Sequence, residues 1–236
     1  MNLLRMDYVR DTLAKYSPGD LPGYSLDLLP KAIRDQFEGN QSIGYENQYE
    51  VLDVGCGGGL LSESLARLKE VRQVRGIDLT SDVLEVAKDH MKKDPILKSK
   101  LDYRLMGIDQ VPENEKYDIV TLFEMLEHVP RPAEVLDAAL KRVKPGGWVF
   151  ISTINRTPIA YFTTIFMGED VLRIVPKGTH TYDKYINEQE LRDFFSDKSD
   201  WDVVRSDGCF FMPFLDWQLT SNRSIGNYFL VARRRL

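Results

Sequence analysis

The chain has 236 residues, 43% hydrophobic and 28% charged, which fits one globular domain with a substantial core. Its formal net charge of -5 argues against nucleic acid as the main ligand, because phosphate binding calls for a basic surface. Two cysteines, Cys56 and Cys209, provide neither a disulfide framework nor a zinc pattern. No apolar run approaches the roughly 20 residues that spanning a membrane requires.

Residues 1–37 read as two helices broken by the turn SPGDLPG at 17–23, and 39–49 as a polar connector. An apolar strand at 51–55 runs into the glycine turn GCGGG, and a helix is expected over 59–69. A second strand, 74–78, ends on Asp78. A helix capped by Thr80 or Ser81 follows and is stopped by Pro95. Further strands are expected at 101–105, 118–123 and 148–153, with a helix over 132–143 between the last two. After an insertion at 156–185 come a helix over 187–195 capped by Asn187, a strand at 201–206 and a final strand at 227–233. This alternation implies a doubly wound, Rossmann-like α/β fold whose parallel sheet has right-handed crossovers. The expected organisation is a single domain: N-terminal helices and connector at 1–49, a cofactor half at 50–155, an apolar lid at 156–186 and a C-terminal part at 187–236. The basic run Arg233, Arg234 and Arg235 reads as a solvated tail.

The chemistry gathers at the glycine turn and after the fourth strand. Glycines let the backbone bend sharply and approach a ligand closely. An acid about 20 residues further on accepts hydrogen bonds from a ribose. In FEMLEHV, at 123–129, Glu124, Glu127 and His128 fall at the mouth of the pocket. On a helical turn their spacing would put them on one face, where two carboxylates and an imidazole suit a divalent cation. The other reading has Glu127 capping the loop and His128 packing on the sheet. No Asn/Asp-Pro-Pro-aromatic run follows the fourth strand, and no Pro-Cys pair is present. The insertion is rich in large apolar residues flanked by Arg156, Arg173 and Lys177. It reads as a lid over the pocket, as a membrane-facing surface across 156–177, or as both.

VLDVGCGGG, YDIVTLFE and VKPGGWVFIS together resemble the class I methyltransferases that use S-adenosylmethionine. EMLEHVP, STINR and VPKGTH, in this order and spacing, resemble the ubiquinone-biosynthesis O-methyltransferases from Leu3 onward, and the opening LLRMDYVRD is more similar to the mitochondrial members. The resemblance implies a sheet of seven strands with the last antiparallel beside the fifth. It implies O-methylation of a polyprenylated catechol, and a metal site (Mg²⁺, or Zn²⁺ or Mn²⁺) at Glu124, Glu127 and His128. Cofactor contacts are implied at Arg5, Gly55, Asp78 and Phe123, with Gly57 and Asp109 completing the set. Without a metal, His128 or His180 would act as general base. The implied setting is peripheral, on the matrix side of the mitochondrial inner membrane, among other ubiquinone-biosynthesis proteins and without nucleic acid. If the source is bacterial, it is the cytoplasmic face of the inner membrane. Family members carry further residues before the position of Met1, including an aromatic pair. A lipid-binding scaffold, or an enzyme for a soluble catechol, are the alternative readings.

Overall fold

The computed structural model describes residues 1–16, 49–161, 181–212 and 216–236. Eight strands form one sheet: β1 Tyr49–Val54, β2 Val71–Asp78, β3 Leu101–Leu105, β4 Tyr117–Phe123, β5 Val143–Ile154, β6 Trp201–Met212, β7 Asp216–Thr220 and β8 Asn227–Arg234. Their order is β3-β2-β1-β4-β5-β8-β6-β7. The first five pair in parallel. β8 lies antiparallel between β5 and β6, and β7 closes the edge antiparallel to β6. The α/β class and the antiparallel last strand are as expected, and the sheet has one strand more than the expected seven. The additional strand is β7, which pairs antiparallel with the far end of β6. β6 runs on to Met212 and turns back into β7, so Phe211 and Trp217 face each other across a hairpin with rings 5.8 Å apart.

Central strands are largely apolar because both sheet faces are covered. In β4, Ile119, Val120 and Leu122 are all fully buried. One face is packed by α1 Asn2–Tyr16, α2 Leu60–Ala66, α3 Ser81–Lys93 and α4 Pro95–Lys100, through residues such as Val9, Leu65, Leu84 and Leu97. The other face is packed by α5 Pro132–Leu140 and α6 Glu188–Ser196, through Leu136, Leu191 and Phe195.

Several boundaries differ from expectation for local reasons. α3 stops at Lys93 as anticipated, but Pro95 then opens α4 at its first position, where a missing N–H costs nothing. The Asp94 carboxylate accepts from the Ile96 N–H at 2.9 Å and caps that turn. α2 and α5 end earlier than expected, at Ala66 and Leu140. The second N-terminal helix expected within 1–37 lies outside the described residues. The three C-terminal arginines all have partners, and of the three Arg235 is exposed as expected of a solvated tail. Arg233 stacks 4.7 Å over Trp148, Arg234 donates to the Val143 carbonyl at 2.7 Å, and Arg235 pairs with Asp202 at 2.6 Å.

Strand order reverses at β1, with β2 on one side and β4 on the other. The crevice beyond the carboxyl ends of such strands is where open α/β sheets hold ligands.

Candidate functional site

The turn after β1 adopts backbone that only glycine takes without strain: φ is +72° at Gly55, +51° at Gly57 and +82° at Gly59. A side chain at Gly59 would meet the Tyr103 hydroxyl at 2.3 Å, whereas Gly57 and Gly58 have nothing within 4 Å of a built Cβ. The turn is therefore closed toward the protein and open outward, as a cradle for a ligand. Asp78, at the end of β2, accepts from the backbone N–H of Gly57 at 2.9 Å and of Thr80 at 2.8 Å. The first of these bonds ties the glycine turn to the acid, so the spacing read in the sequence is a direct contact.

Arg5, on α1, reaches Phe123 at the end of β4, with its guanidinium carbon 5.8 Å from the ring centre. Its Nε is buried and has no hydrogen-bond partner among the described residues. A buried guanidinium donor is costly to leave unpaired, so this atom marks where an anionic ligand group fits. Asp109 stands exposed in the 3-10 turn Ile108–Gln110 after β3. Gly55, Gly57, Asp78, Phe123 and Arg5 thus border one crevice, and Asp109 stands on the turn beyond β3.

Asp53 lies within β1. It is almost fully buried and accepts from Ser62 Oγ at 2.6 Å and Thr121 Oγ1 at 2.7 Å. Burial pushes its carboxyl above the usual range, against those two hydrogen bonds and the Arg5 charge. It ties β1 to α2 and β4 directly beneath the glycine turn.

Glu124 does not lie on a helix. Its φ is +52°, a left-handed conformation that costs a non-glycine residue about 1–3 kcal/mol. Its carboxylate accepts from Ser152 Oγ at 2.9 Å on β5 and from Asn227 Nδ2 at 3.0 Å on β8. The 3-10 turn Leu126–His128 follows. Within it Glu127 is 4% exposed and accepts from Thr153 Oγ1 at 2.9 Å, while His128 is exposed. The single helical face expected for these three residues is therefore absent, because the left-handed residue and the tight turn rotate them apart. Burial, and then the neighbouring Glu124 charge, raise the Glu127 carboxyl to about 8.

Among the described residues no group of three His, Cys, Asp or Glu side chains gathers to hold a metal. The Glu124–Glu127 pair fits a cation in charge, since two neighbouring carboxylates repel until one is protonated or a cation intervenes. His128 does not stand with them. His180, Arg173, Lys177 and most of the apolar insertion lie outside the described residues. Arg156, at its start, donates to the Tyr185 carbonyl at 2.8 Å and pairs with Glu190 at 3.2 Å.

Ser152, Thr153, Asn155 and Asn227 were not singled out as site residues, yet they position both carboxylates and the strand ends around them. Asn155 donates to the carbonyls of Arg223 and Gly226, and accepts from the Glu188 N–H at 3.0 Å. The polar run STIN, ending an otherwise apolar strand, was the available signal.

A methyltransferase-domain model matches residues 8–206. The chain is 50% identical over 99% of its length, and 77% of the relative's, to "Ubiquinone biosynthesis O-methyltransferase, mitochondrial" of Candida albicans. To the protein of the same description in Saccharomyces cerevisiae it is 43% identical over 99% of its length and 79% of the relative's. Among solved structures, magnesium protoporphyrin IX methyltransferase of Synechocystis PCC 6803, with bound SAH, superposes with a TM-score of 0.59. It shares 18% identity, with 86% of this chain and 82% of that one covered, which is a likeness of fold.

Proposed function

The chain belongs to the ubiquinone biosynthesis O-methyltransferases and is a methyltransferase enzyme, and from that premise we propose that it transfers a methyl group from S-adenosylmethionine to a catechol hydroxyl of a polyprenylated quinone precursor. The observation that carries this reading is likeness along 99% of the chain to proteins named for that pathway, with an outward-open glycine cradle in place. Asp78 would take the ribose hydroxyls and Arg5 the cofactor carboxylate, through the Nε that is otherwise unpaired.

The hydroxyl oxygen attacks the methyl carbon in line as the carbon–sulfur bond breaks, and S-adenosylhomocysteine leaves. Alignment alone contributes roughly 7–11 kcal/mol to such a step. A phenolic hydroxyl, with a pKa of about 10, must also lose its proton. In the absence of a bound cation, Glu127, a buried carboxyl raised to about 8, is the group we assign to receive it, held in place by Thr153. Glu124, fixed by Ser152 and Asn227, stands beside it. Glu124 and Glu127 would hold a divalent cation, with His128 joining by a change of side-chain position. When bound, the cation lowers the pKa of the catechol hydroxyl. The mitochondrial designation of the yeast relatives supports a mitochondrial setting, and the apolar insertion at 156–177 supports a membrane surface as the source of substrate.

The test is methyl transfer to a short-chain demethylubiquinol and to an unprenylated catechol, before and after chelator treatment. Turnover that favours the prenylated substrate, falls with chelator and returns with Mg²⁺ or Zn²⁺ is expected. Equal rates on both substrates would remove the prenylated class, and indifference to chelator would remove the metal.

A further inference from the structure

A cavity of about 590 Å³ is lined by the C-terminal end of α1, by α6, by residues 203–207 of β6 and by the turn before β8. Its walls bring together four cations from four separate elements: Lys15, Arg192, Arg205 and Arg223. Two carboxylates, Asp11 and Asp207, share the walls. In a chain of net charge -5, such a convergence is a local reversal of sign. None of these residues belongs to the crevice described above.

Arg205 and Arg192 are each paired with a carboxylate, whereas Lys15 and Arg223 have none among the described residues. Arg205 is fixed by Asp207 at 2.7 Å, by Thr12 Oγ1 at 3.0 Å and by the Tyr8 ring 4.0 Å beneath it. Arg223 is held through Nε on the Ser206 carbonyl at 3.1 Å, and Arg192 through one terminal nitrogen on Glu188 at 2.6 Å. Each guanidinium is anchored by part of its donor fork, which leaves further donors for a ligand at little entropic cost. Lys15 has no carboxylate partner among the described residues and lies 5.4 Å over the Tyr16 ring. An independent observation points the same way. Ser206, in the cavity wall, is 7% exposed, and its buried hydroxyl has no hydrogen-bond partner among the described residues. An unpaired buried hydroxyl beside guanidinium groups suits an acceptor-rich anion.

We propose that this cavity is a binding site for a phosphate group, carried by a soluble phosphorylated molecule or by a lipid headgroup. Forked guanidinium donors match phosphate oxygens in pairs, and the volume exceeds that of the bare ion.

The test uses inorganic phosphate, followed by ³¹P line broadening and by titration calorimetry with the protein saturated in S-adenosylhomocysteine, so that the glycine crevice is occupied. Flotation with phosphatidylcholine vesicles, with and without phosphatidic acid, distinguishes a lipid source from a soluble one. Phosphate binding should weaken at least tenfold in a Lys15→Gln/Arg223→Gln double variant and persist in Arg223→Lys, with unchanged melting temperatures. Both substituted residues are exposed, so folding is not at stake. Absence of phosphate binding in the native protein, or equal binding in the double variant, would overturn the proposal.

Discussion

Glu127 concentrates the chemistry of the site in one carboxyl. It is buried, its ordinary value of 4.5 is raised to about 8, and Thr153 donates to it. Between those two values the folded chain binds this proton more tightly than the unfolded chain does. Its contribution to stability is therefore full below pH 4.5 and is lost as pH rises toward 8. A Glu127→Gln variant, which keeps an acceptor for Thr153, should show a flatter dependence of denaturation midpoint on pH. Identical slopes for variant and parent would refute the assignment. In turnover the same change should lower kcat on the order of 10²–10⁴-fold, the usual contribution of a positioned base. The importance of Glu127 was legible from its place after an apolar strand ending in FE. Its separation from His128 was not, because a left-handed φ at Glu124 is a property of the turn and leaves no mark in residue spacing. Asn227 was equally hidden, since it reaches Glu124 across 103 positions of chain.

At the scale of elements, the strand–turn–helix unit from β1 to α2 makes two opposite predictions for neighbouring glycines. Gly59→Ala places a methyl group against the Tyr103 hydroxyl at a position with φ +82°. It should destabilise the protein by roughly 2–3 kcal/mol, combining the left-handed penalty with loss of the bond from Tyr103 to the Gly59 carbonyl. Gly58→Ala meets nothing within 4 Å and should leave the melting temperature unchanged while weakening S-adenosylhomocysteine binding, because its methyl group points into the cradle. Calorimetric melting and a binding titration on both variants would separate the two roles, and equal destabilisation would contradict them. Most of this unit was readable beforehand, since glycine, the strand period and the following acid each have a local physical meaning. β7 was not. It is a half-exposed edge strand of mixed polarity, DWQLT, without the apolar run or alternation that identifies a buried strand. Pro95 misled in a different way, because it ends one helix and begins the next with the same missing N–H.

For the whole molecule, α1 joins the parts. It carries Arg5 at the crevice, stacks Tyr8 on Phe229 at 4.6 Å, and ends at the cationic cavity. Ligand at the crevice should therefore stabilise the entire fold, by about 2.7 kcal/mol at a hundredfold excess over its dissociation constant. Arg5→Ala should weaken S-adenosylhomocysteine binding roughly 10–100-fold, as expected for losing a charge-assisted hydrogen bond. A shift in melting temperature with ligand that is the same in both proteins would exclude Arg5 from binding. The doubly wound order was legible from alternating strands and helices, whereas the position of β8 followed only from family resemblance, because a long-range antiparallel insertion has no local signature. That insertion also governs how the protein comes into being. Residues of β5 and β6 leave the ribosome before those of β8, and until β8 arrives nothing joins them in the sheet. The nascent chain thus carries two bare, largely apolar strand margins while it waits for its last strand, a state exposed to mispairing with other chains. Closure of the sheet awaits β8, and a chaperone that shields those margins would act in that interval.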